Sequence, residues 1–402
     1  MKKILFLTTL LPYPLDNGGK VKTYNTLKAL SEIYCIDFLC FVNDESDLHY
    51  IKAIEPLVQH SNVYIKKVIK STSAIHFMYD YMKSLFTVFP YSISKFQNSK
   101  MRRTVGSRVK NENYAFIYVD HLPMMVYHKC LKNKKVVLDE HNVESLIFKR
   151  MIDESHNLLK KCLGFFEYKK LRYFEKLSLQ RSERILCLSA VDRKMLLELD
   201  SSLFSKIEVL PIHLTIKAHA IKQEVKNAKD KFKLLFLGSM SWYPNQQGIS
   251  WFMENVWTEL DKDKFELYIV GAHPPENIKK YANGKDVFVT GYVDSVDRYI
   301  DTCDLSIVPL FIGSGQRVKI IECFAKGIPV MSTSVGCEGI VCSDGRDIII
   351  ADTVKEFIQG LQNILLTKCQ LVELVSNGQK TFEANYSSKH LAEKMDCLLK
   401  KI

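Results

Sequence analysis

The most constraining feature of this chain is a repeated local pattern. A short apolar run stops abruptly, a loop follows, and a helix-like segment leads to the next run. ILFL (4–7), IDFLCF (36–41), NVYI (62–65), FIYV (116–119), KVVL (135–138), ILCLS (185–189) and IEVL (207–210) form one series. FKLLFLG (232–238), FELYIVG (265–271), VFVTG (287–291), LSIVP (305–309), VMST (330–333) and III (348–350) form a second. Near-continuous apolar runs are what strands covered on both faces require. Their alternation with helical segments predicts βαβ units and mostly parallel sheets. The polar stretch IHLTIKAHAIKQEVKNAKDK separates the two series. The reading is therefore α/β: two doubly wound, Rossmann-like domains facing across a cleft, 1–211 and 231–380, joined by a linker at 212–230. Ligands of such domains bind beyond the carboxyl ends of the strands.

A chain of 402 residues, 47% hydrophobic and 25% charged, can bury two such cores without disulfides or metals. The net charge of +11 is one-sided. Residues 1–200 hold 32 Lys/Arg and 21 Asp/Glu, whereas 201–402 hold 24 of each. Between 61 and 110 there are ten basic residues and one acid, Asp80. An anionic membrane surface, a phosphate-bearing substrate and nucleic acid are all compatible with that excess, as is a plain solvated face. The eleven cysteines are scattered, with no CxxC, and read as reduced, buried thiols. The opening MKKILFLTTLLPYPL imitates a signal peptide but lacks a small-residue cleavage site, so a first strand is the better reading. No run of 18 apolar residues predicts a membrane span.

Motifs narrow the chemistry. Neither GxGxxG nor GxxxxGK[ST] occurs, nor HExxH, zinc-ribbon spacing, GxSxG or a nucleic-acid module. Gly18-Gly19 precede a helix expected near Lys20, whose N-terminus can face an anion. The densest segment is PLFIGSGQRVKIIECFAKGIPVMSTSVGCEGI (309–340). Gly313-Ser314-Gly315 can form a backbone nest, and Arg317 and Lys319 beside it suit a diphosphate. Glu322, one turn after Lys319, can accept two hydroxyl hydrogen bonds from a sugar diol; the alternative is an ordinary Lys–Glu surface pair. His141, in the DEHN cluster after KVVL, can bond a sugar hydroxyl or stabilise developing charge, or it can be structural. His121 is a weaker second candidate that can instead support Asp120.

These segments resemble a GT-B glycosyltransferase of the large family 4 of retaining enzymes, in its bacterial branch that builds capsules, exopolysaccharides and lipopolysaccharide. KKILFLTTLLPYPLDNGGKVKTYNTLKAL resembles the family's opening strand and Gly-rich loop, with Lys22 where arginine is frequent. VVLDEHNVES resembles the segment whose acceptor-domain histidine falls on His141. LLFLGSMSWYPNQQGISWF resembles the start of the donor domain, with Gly238, Trp242, Pro244 and Asn245 in place. The final ANYSSKHLAEKM resembles the closing helix, expected over 381–402, that crosses back to the first domain.

The resemblance implies an acceptor-binding domain at 1–211 and a nucleotide-sugar donor domain at 231–380. Arg317 and Lys319 would then neutralise the diphosphate, Glu322 bind the ribose, and His141 hold the donor sugar. Gly18, Gly19, Gly238, Asn245, Gly313, Ser314, Gly315 and Gln316 would line the donor site. Ser314 stands where the family usually carries its first glutamate, which bears on the choice of sugar. A UDP- or GDP-sugar donor, no tightly bound cofactor and no metal are expected. The acceptor is expected to be a lipid-linked saccharide or growing glycan, with no nucleic-acid partner. The basic, aromatic 61–110 segment is expected on the cytoplasmic face of an anionic bacterial inner membrane. An epimerase or phosphorylase of the same fold, or a non-catalytic scaffold in a polysaccharide assembly complex, are the competing readings.

Overall fold

The computed structural model describes residues 1–65, 81–82, 84, 87–153, 158–216, 231–313, 315–366, 368–400 and 402. They form two compact units, Met1–Pro211 with Ser388–Ile402, and Ile212–Ser387. The first unit holds β1 (Lys3–Thr8), β2 (Cys35–Val42), β3 (His60–Ile65), β4 (Ile117–Asp120), β5 (Val136–Glu140), β6 (Arg184–Cys187) and β7 (Ile207–Val209). They form one parallel sheet in the order β3-β2-β1-β4-β5-β6-β7. The direction of winding reverses between β1 and β4, so a crevice opens beyond the ends of those two strands. Ile4, Leu5, Phe6 and Leu7 are fully buried, as a strand covered on both faces must be.

The helices α1 (Gly18–Ser31), α2 (Ser99–Asn111), α3 (Glu144–Asp153) and α4 (Leu158–Arg181) belong to this unit. Asn17 starts α1 by accepting the Lys20 N–H on its side chain, at 3.0 Å. The helix thus begins at Gly18, two residues before the sequence expectation, and both glycines lie in its first turn. α3 is described to Asp153 and α4 from Leu158; residues 154–157 lie outside the described set.

In the second unit, β8 (Phe232–Leu237), β9 (Phe265–Val270), β10 (Val287–Gly291), β11 (Leu305–Val308), β12 (Val330–Ser332) and β13 (Ile349–Ile350) form another parallel sheet. Its order, β10-β9-β8-β11-β12-β13, places the reversal between β8 and β11. The helices that matter here are α5 (Tyr243–Trp251), after β8, and α6 (Val318–Lys326), after β11. The helix Lys368–Asn385 runs across the 380/381 boundary read from sequence. The closing helix α7 (Leu391–Leu399) then packs Leu391, Met395 and Leu399 into the same core as Leu27 and Leu30 of α1. Of the linker, 217–230 lie outside the described residues, and Leu214 donates its N–H to the Tyr386 carbonyl of the second unit at 2.8 Å.

Candidate active site

Each unit gathers its charged residues at the ends of the strands flanking its winding reversal. In the first unit the hub is Asp120, the last residue of β4 and fully buried. Its Oδ2 accepts from the hydroxyls of Thr8, at the end of β1, and Thr23, on α1, at 2.7 and 2.8 Å. Its Oδ1 accepts from His141 Nε2 at 2.8 Å, and His121 Nδ1 lies 2.8 Å from Oδ2. The two imidazoles lie 3.7 Å apart, tilted by 36°. His121 takes φ 77°, a left-handed value uncommon for a residue with a side chain. One strand over, Asp139 pairs with the buried Lys22 ammonium and accepts the Tyr118 hydroxyl at 2.6 Å.

These contacts set the protonation states. Burial alone would raise the Asp120 carboxyl, but the two imidazoles outweigh it and hold the group well below the usual carboxylate range. Burial lowers His121, yet the Asp120 charge prevails and its pKa is raised. His141 moves the other way, to about 4, through burial followed by neighbouring His121 and Lys22. His141 is therefore neutral near pH 7, with the proton on Nε2, where Asp120 accepts it. Beside it, Glu140 is buried with neither carboxylate oxygen hydrogen-bonded among the described residues. Burial, then Glu175 and Glu144, push this carboxyl well up, which favours its neutral form.

Asp120, His121 and His141 offer three metal-ligand atoms within 4.8 Å of one another. Here Asp120 and His141 are already hydrogen-bonded to each other, with His121 Nδ1 close to Asp120, and a dication would have to displace that bond while facing the Lys22 ammonium. As they stand, the three groups form a hydrogen-bond network that orients an imidazole.

The second unit brings Gly238, Asn245, Gly313, Gly315, Arg317 and Lys319 together. Gly238 follows β8 with φ 158°, at the edge of the range that favours glycine. A Cβ there would meet Asn245 Nδ2 at 2.6 Å and Lys319 Nζ at 2.8 Å, so the missing side chain makes room for both. Lys319 donates to Asn245 Oδ1 at 2.9 Å and sits 4.9 Å from the centre of the Phe236 ring. Asn245 in turn donates to the Ser239 carbonyl at 2.8 Å. Arg317 is buried, lies 5.6 Å from the centre of the Trp242 ring and donates to the Gly315 carbonyl. Gly313 (φ 139°) must also lack a side chain, because a Cβ would come within 2.5 Å of Arg317 Nη2.

Burial, reinforced by Arg317, lowers the Lys319 amine to about 7. A buried cation beside another cation is costly unless an anion arrives. Glu322 stands one turn along α6, half-buried, its carboxyl raised by burial and by Asp297 against the pull of Lys326. Lys326 is itself tied to Asp297 at 2.6 Å. Two basic side chains and glycine backbone thus lie together at the N-terminal end of α6, a combination chemically able to bind an anion such as a diphosphate.

Several expected residues have other duties. The Gln316 side chain holds the loop: its amide donates to the Gly339 carbonyl at 2.8 Å and its carbonyl accepts the Ile212 N–H at 2.9 Å. Ser314 lies outside the described residues. A Cβ on Gly19 would come 3.8 Å from His121 Nε2, which places the Gly18-Gly19 turn beside the first unit's histidines. Thr8 and Thr23 are absent from the sequence expectations, and Asp120 enters them only as a residue that His121 can support. The available signal was positional, since Thr8 and Asp120 end the two strands where the winding reverses.

The basic segment 61–110, expected at a membrane surface, is described only in part. Residues 66–80, 83, 85 and 86 lie outside the described set. Among the described apolar residues, Tyr81, Ile93, Met101, Val105 and Val109 are buried, and Phe89 and Phe96 pack against the same core. Met82 and Val88 are exposed, and the helix α2 turns Met101, Val105 and Val109 inward. On α2, Lys100, Arg102, Arg103 and Lys110 remain exposed without exposed aromatics beside them.

Comparisons with known proteins bear on the fold and on the second unit's family. Residues 231–367 match the family described as "Glycosyl transferases group 1". Over an alignment of 405 residues the chain is 23% identical to an uncharacterised 44.6 kDa protein in the cps region of Klebsiella pneumoniae, covering 97% of each. Its fold is similar to that of sucrose-phosphate synthase from Thermosynechococcus elongatus, with a TM-score of 0.74 and 15% identity over 100% of this chain and 99% of that one. It is also similar to Anabaena HepE solved in complex with UDP-glucose, with a TM-score of 0.69 and 10% identity over 100% of both chains.

Proposed function

We propose, from the premise that this chain has the GT-B fold and that residues 231–367 form a group 1 glycosyltransferase domain, that it is a retaining hexosyltransferase of family 4. It takes a nucleoside-diphosphate sugar, UDP- or GDP-linked, and passes the sugar to a lipid-linked saccharide or growing glycan. The observation that carries this reading is the Lys319–Asn245–Gly238 cluster with Arg317 beside it, two basic side chains gathered at a glycine-lined strand end. The HepE complex with UDP-glucose supports the donor class, and the cps-region relative supports a role in capsule or related surface-polysaccharide synthesis.

In this mechanism the diphosphate leaving group needs charge neutralisation more than a strong acid, and Arg317 and Lys319 supply it without a metal. The Lys319 amine, lowered to about 7, takes up a proton as the diphosphate binds. Glu322 anchors the ribose hydroxyls. The acceptor hydroxyl attacks on the face from which the diphosphate leaves, so no protein nucleophile is required. His141, neutral and oriented by Asp120, offers a polar contact to the sugar as positive charge develops at its anomeric carbon. The enzyme works at the cytoplasmic face of an anionic membrane, reached through exposed basic residues of the first unit.

The test is calorimetry with UDP, GDP, ADP, dTDP and CMP, repeated on Glu322→Ala. Selective binding of one nucleotide, weakened in the variant and unaffected by EDTA, is expected. No nucleotide binding by folded protein would overturn the reading in favour of a scaffold.

A further inference from the structure

The helix α4 has an unusual distribution of side chains. It carries seven basic residues and two acids, and both acids point inward. Glu167 accepts from the backbone N–H groups of Tyr91 and Ser92 at 2.9 and 2.8 Å and from the Ser92 hydroxyl at 2.7 Å. Glu175 accepts the Glu144 N–H at 2.7 Å and the Ser145 hydroxyl. With Leu171, Phe174 and Leu179 they form the buried face.

The opposite face shows apolar groups to solvent. Leu158 is 83% exposed, Phe165 47%, Phe166 52% and Tyr173 62%. With exposed Cys162, Lys169 and Arg172 they recur at spacings of three and four, which is one side of a helix. Lys169 Nζ lies 5.2 Å from the centre of the Phe165 ring. Contiguous exposed aromatics on an ordinary solvated helix have no stabilising role and mark a binding surface. Cations beside them, with the acids withdrawn, select an anionic partner that also accepts apolar groups.

We propose that the outward face of α4 docks on an anionic lipid bilayer, with Phe165, Phe166, Leu158 and Tyr173 entering the interface and Lys169 and Arg172 meeting lipid phosphates. A second copy of the chain is a poorer occupant, because a two-fold contact would bring identical basic faces together. This deepens the membrane part of the reading above and moves the anchoring apolar contact from 61–110 to α4. The basic α2, whose Met101, Val105 and Val109 are buried, contributes charge alone.

The test is co-sedimentation of the full chain with phosphatidylcholine vesicles, with and without phosphatidylglycerol. Wild type is expected to sediment only with the phosphatidylglycerol vesicles. Phe165→Ser with Phe166→Ser should weaken this about tenfold while leaving the melting temperature and nucleotide affinity unchanged. Lys169→Ser with Arg172→Ser should weaken it and reduce its salt sensitivity. Unchanged sedimentation of the Phe variant, with loss only in Lys100→Ser, Arg102→Ser, Arg103→Ser, would overturn the assignment to α4 and leave the 61–110 reading standing. No sedimentation of wild type would overturn both. A dimer by light scattering that the Phe variant dissociates would assign the face to a second copy instead. The nucleotide panel fails or succeeds independently of all these outcomes.

Discussion

The two units build the same architecture and place charged side chains at the same topological position, yet they balance the charge differently. In the first unit the charges cancel internally: Asp120 is met by two hydroxyls and two imidazoles, and Lys22 by Asp139. In the second, the Lys319 ammonium meets an amide oxygen, and its nearest charged neighbour in effect is Arg317. The first centre is complete and holds an imidazole in one orientation. In the second, Lys319 and Arg317 lie near each other, which is the arrangement the proposed function assigns to a bound anion. The fold supplies the position, and the residues at the strand ends decide whether it is a support or a receptor.

The largest expected effect tests the receptor side. Lys319→Met should lower nucleoside-diphosphate affinity ~100-fold and kcat/KM by ~10³ or more. It should also raise the melting temperature without ligand, because it removes a buried amine whose pKa burial has lowered. A lower melting temperature alongside the lower affinity would mean that Lys319 is a structural partner of Asn245. The pH dependence has a definite sign. With the amine at about 7 in the free protein and the bound diphosphate favouring the charged form, affinity is constant below that pH. It then falls by up to about tenfold per unit above it, which titration calorimetry from pH 6 to 9 can read.

Next comes the support side. Asp120→Asn should reduce kcat by ~10² while leaving nucleotide affinity unchanged, because its contacts lie within the first unit. Denaturant unfolding should show a loss of about 2–4 kcal/mol, the usual cost of removing one partner from a buried charged network. A change in nucleotide affinity of the same size as the change in kcat would erase the distinction between the two centres.

Smaller still is an acid effect confined to the first unit. The His141 pKa is lowered to about 4 in the folded chain against an unfolded value of roughly 6.5. Its contribution to stability is therefore full above that unfolded value and is lost as pH falls through the folded one. About 1–3 kcal/mol should disappear across this window, and His141→Asn should flatten the loss in urea unfolding at a series of pH values. The smallest effect is expected from Gly238→Ala, which crowds Asn245 and Lys319 at φ 158°. A drop in nucleotide affinity of about fivefold to tenfold, with about 1–2 kcal/mol of stability, would sharpen the role of that strand end.

Much of this was legible before any coordinates. The apolar runs marked the strands of both sheets, because a strand buried on two faces must be apolar throughout. The glycines at strand ends, with Arg317 and Lys319, pointed to the side now proposed to bind an anion, because close backbone approach and positive charge each demand particular residue types. Other features were not legible. Asp120 was only a support for a weaker histidine candidate, since its donors come from β1, α1, the loop after β4 and the segment after β5, separated by up to 112 residues. Gln316 read as a ligand contact within a glycine loop, whereas its amide is committed to two backbone groups distant in sequence. The mixed aromatic and basic composition of 61–110 looked like a membrane-facing pattern, yet the described apolar residues there are mostly turned inward. Exposed Phe165, Phe166 and Tyr173 lie instead on α4, whose many Lys and Arg residues do not by themselves reveal an outward apolar face.

By itself, then, the sequence determined the α/β class, the strand segments and the chemical character of the donor-side loop, since these follow from local residue type and spacing. Only the tertiary structure decided which charges are cancelled and which helix face is left open. Both are properties of neighbours brought together across the sheet, and no local pattern records whether a carboxylate such as Glu167 or Glu175 turns toward a buried backbone amide or toward water.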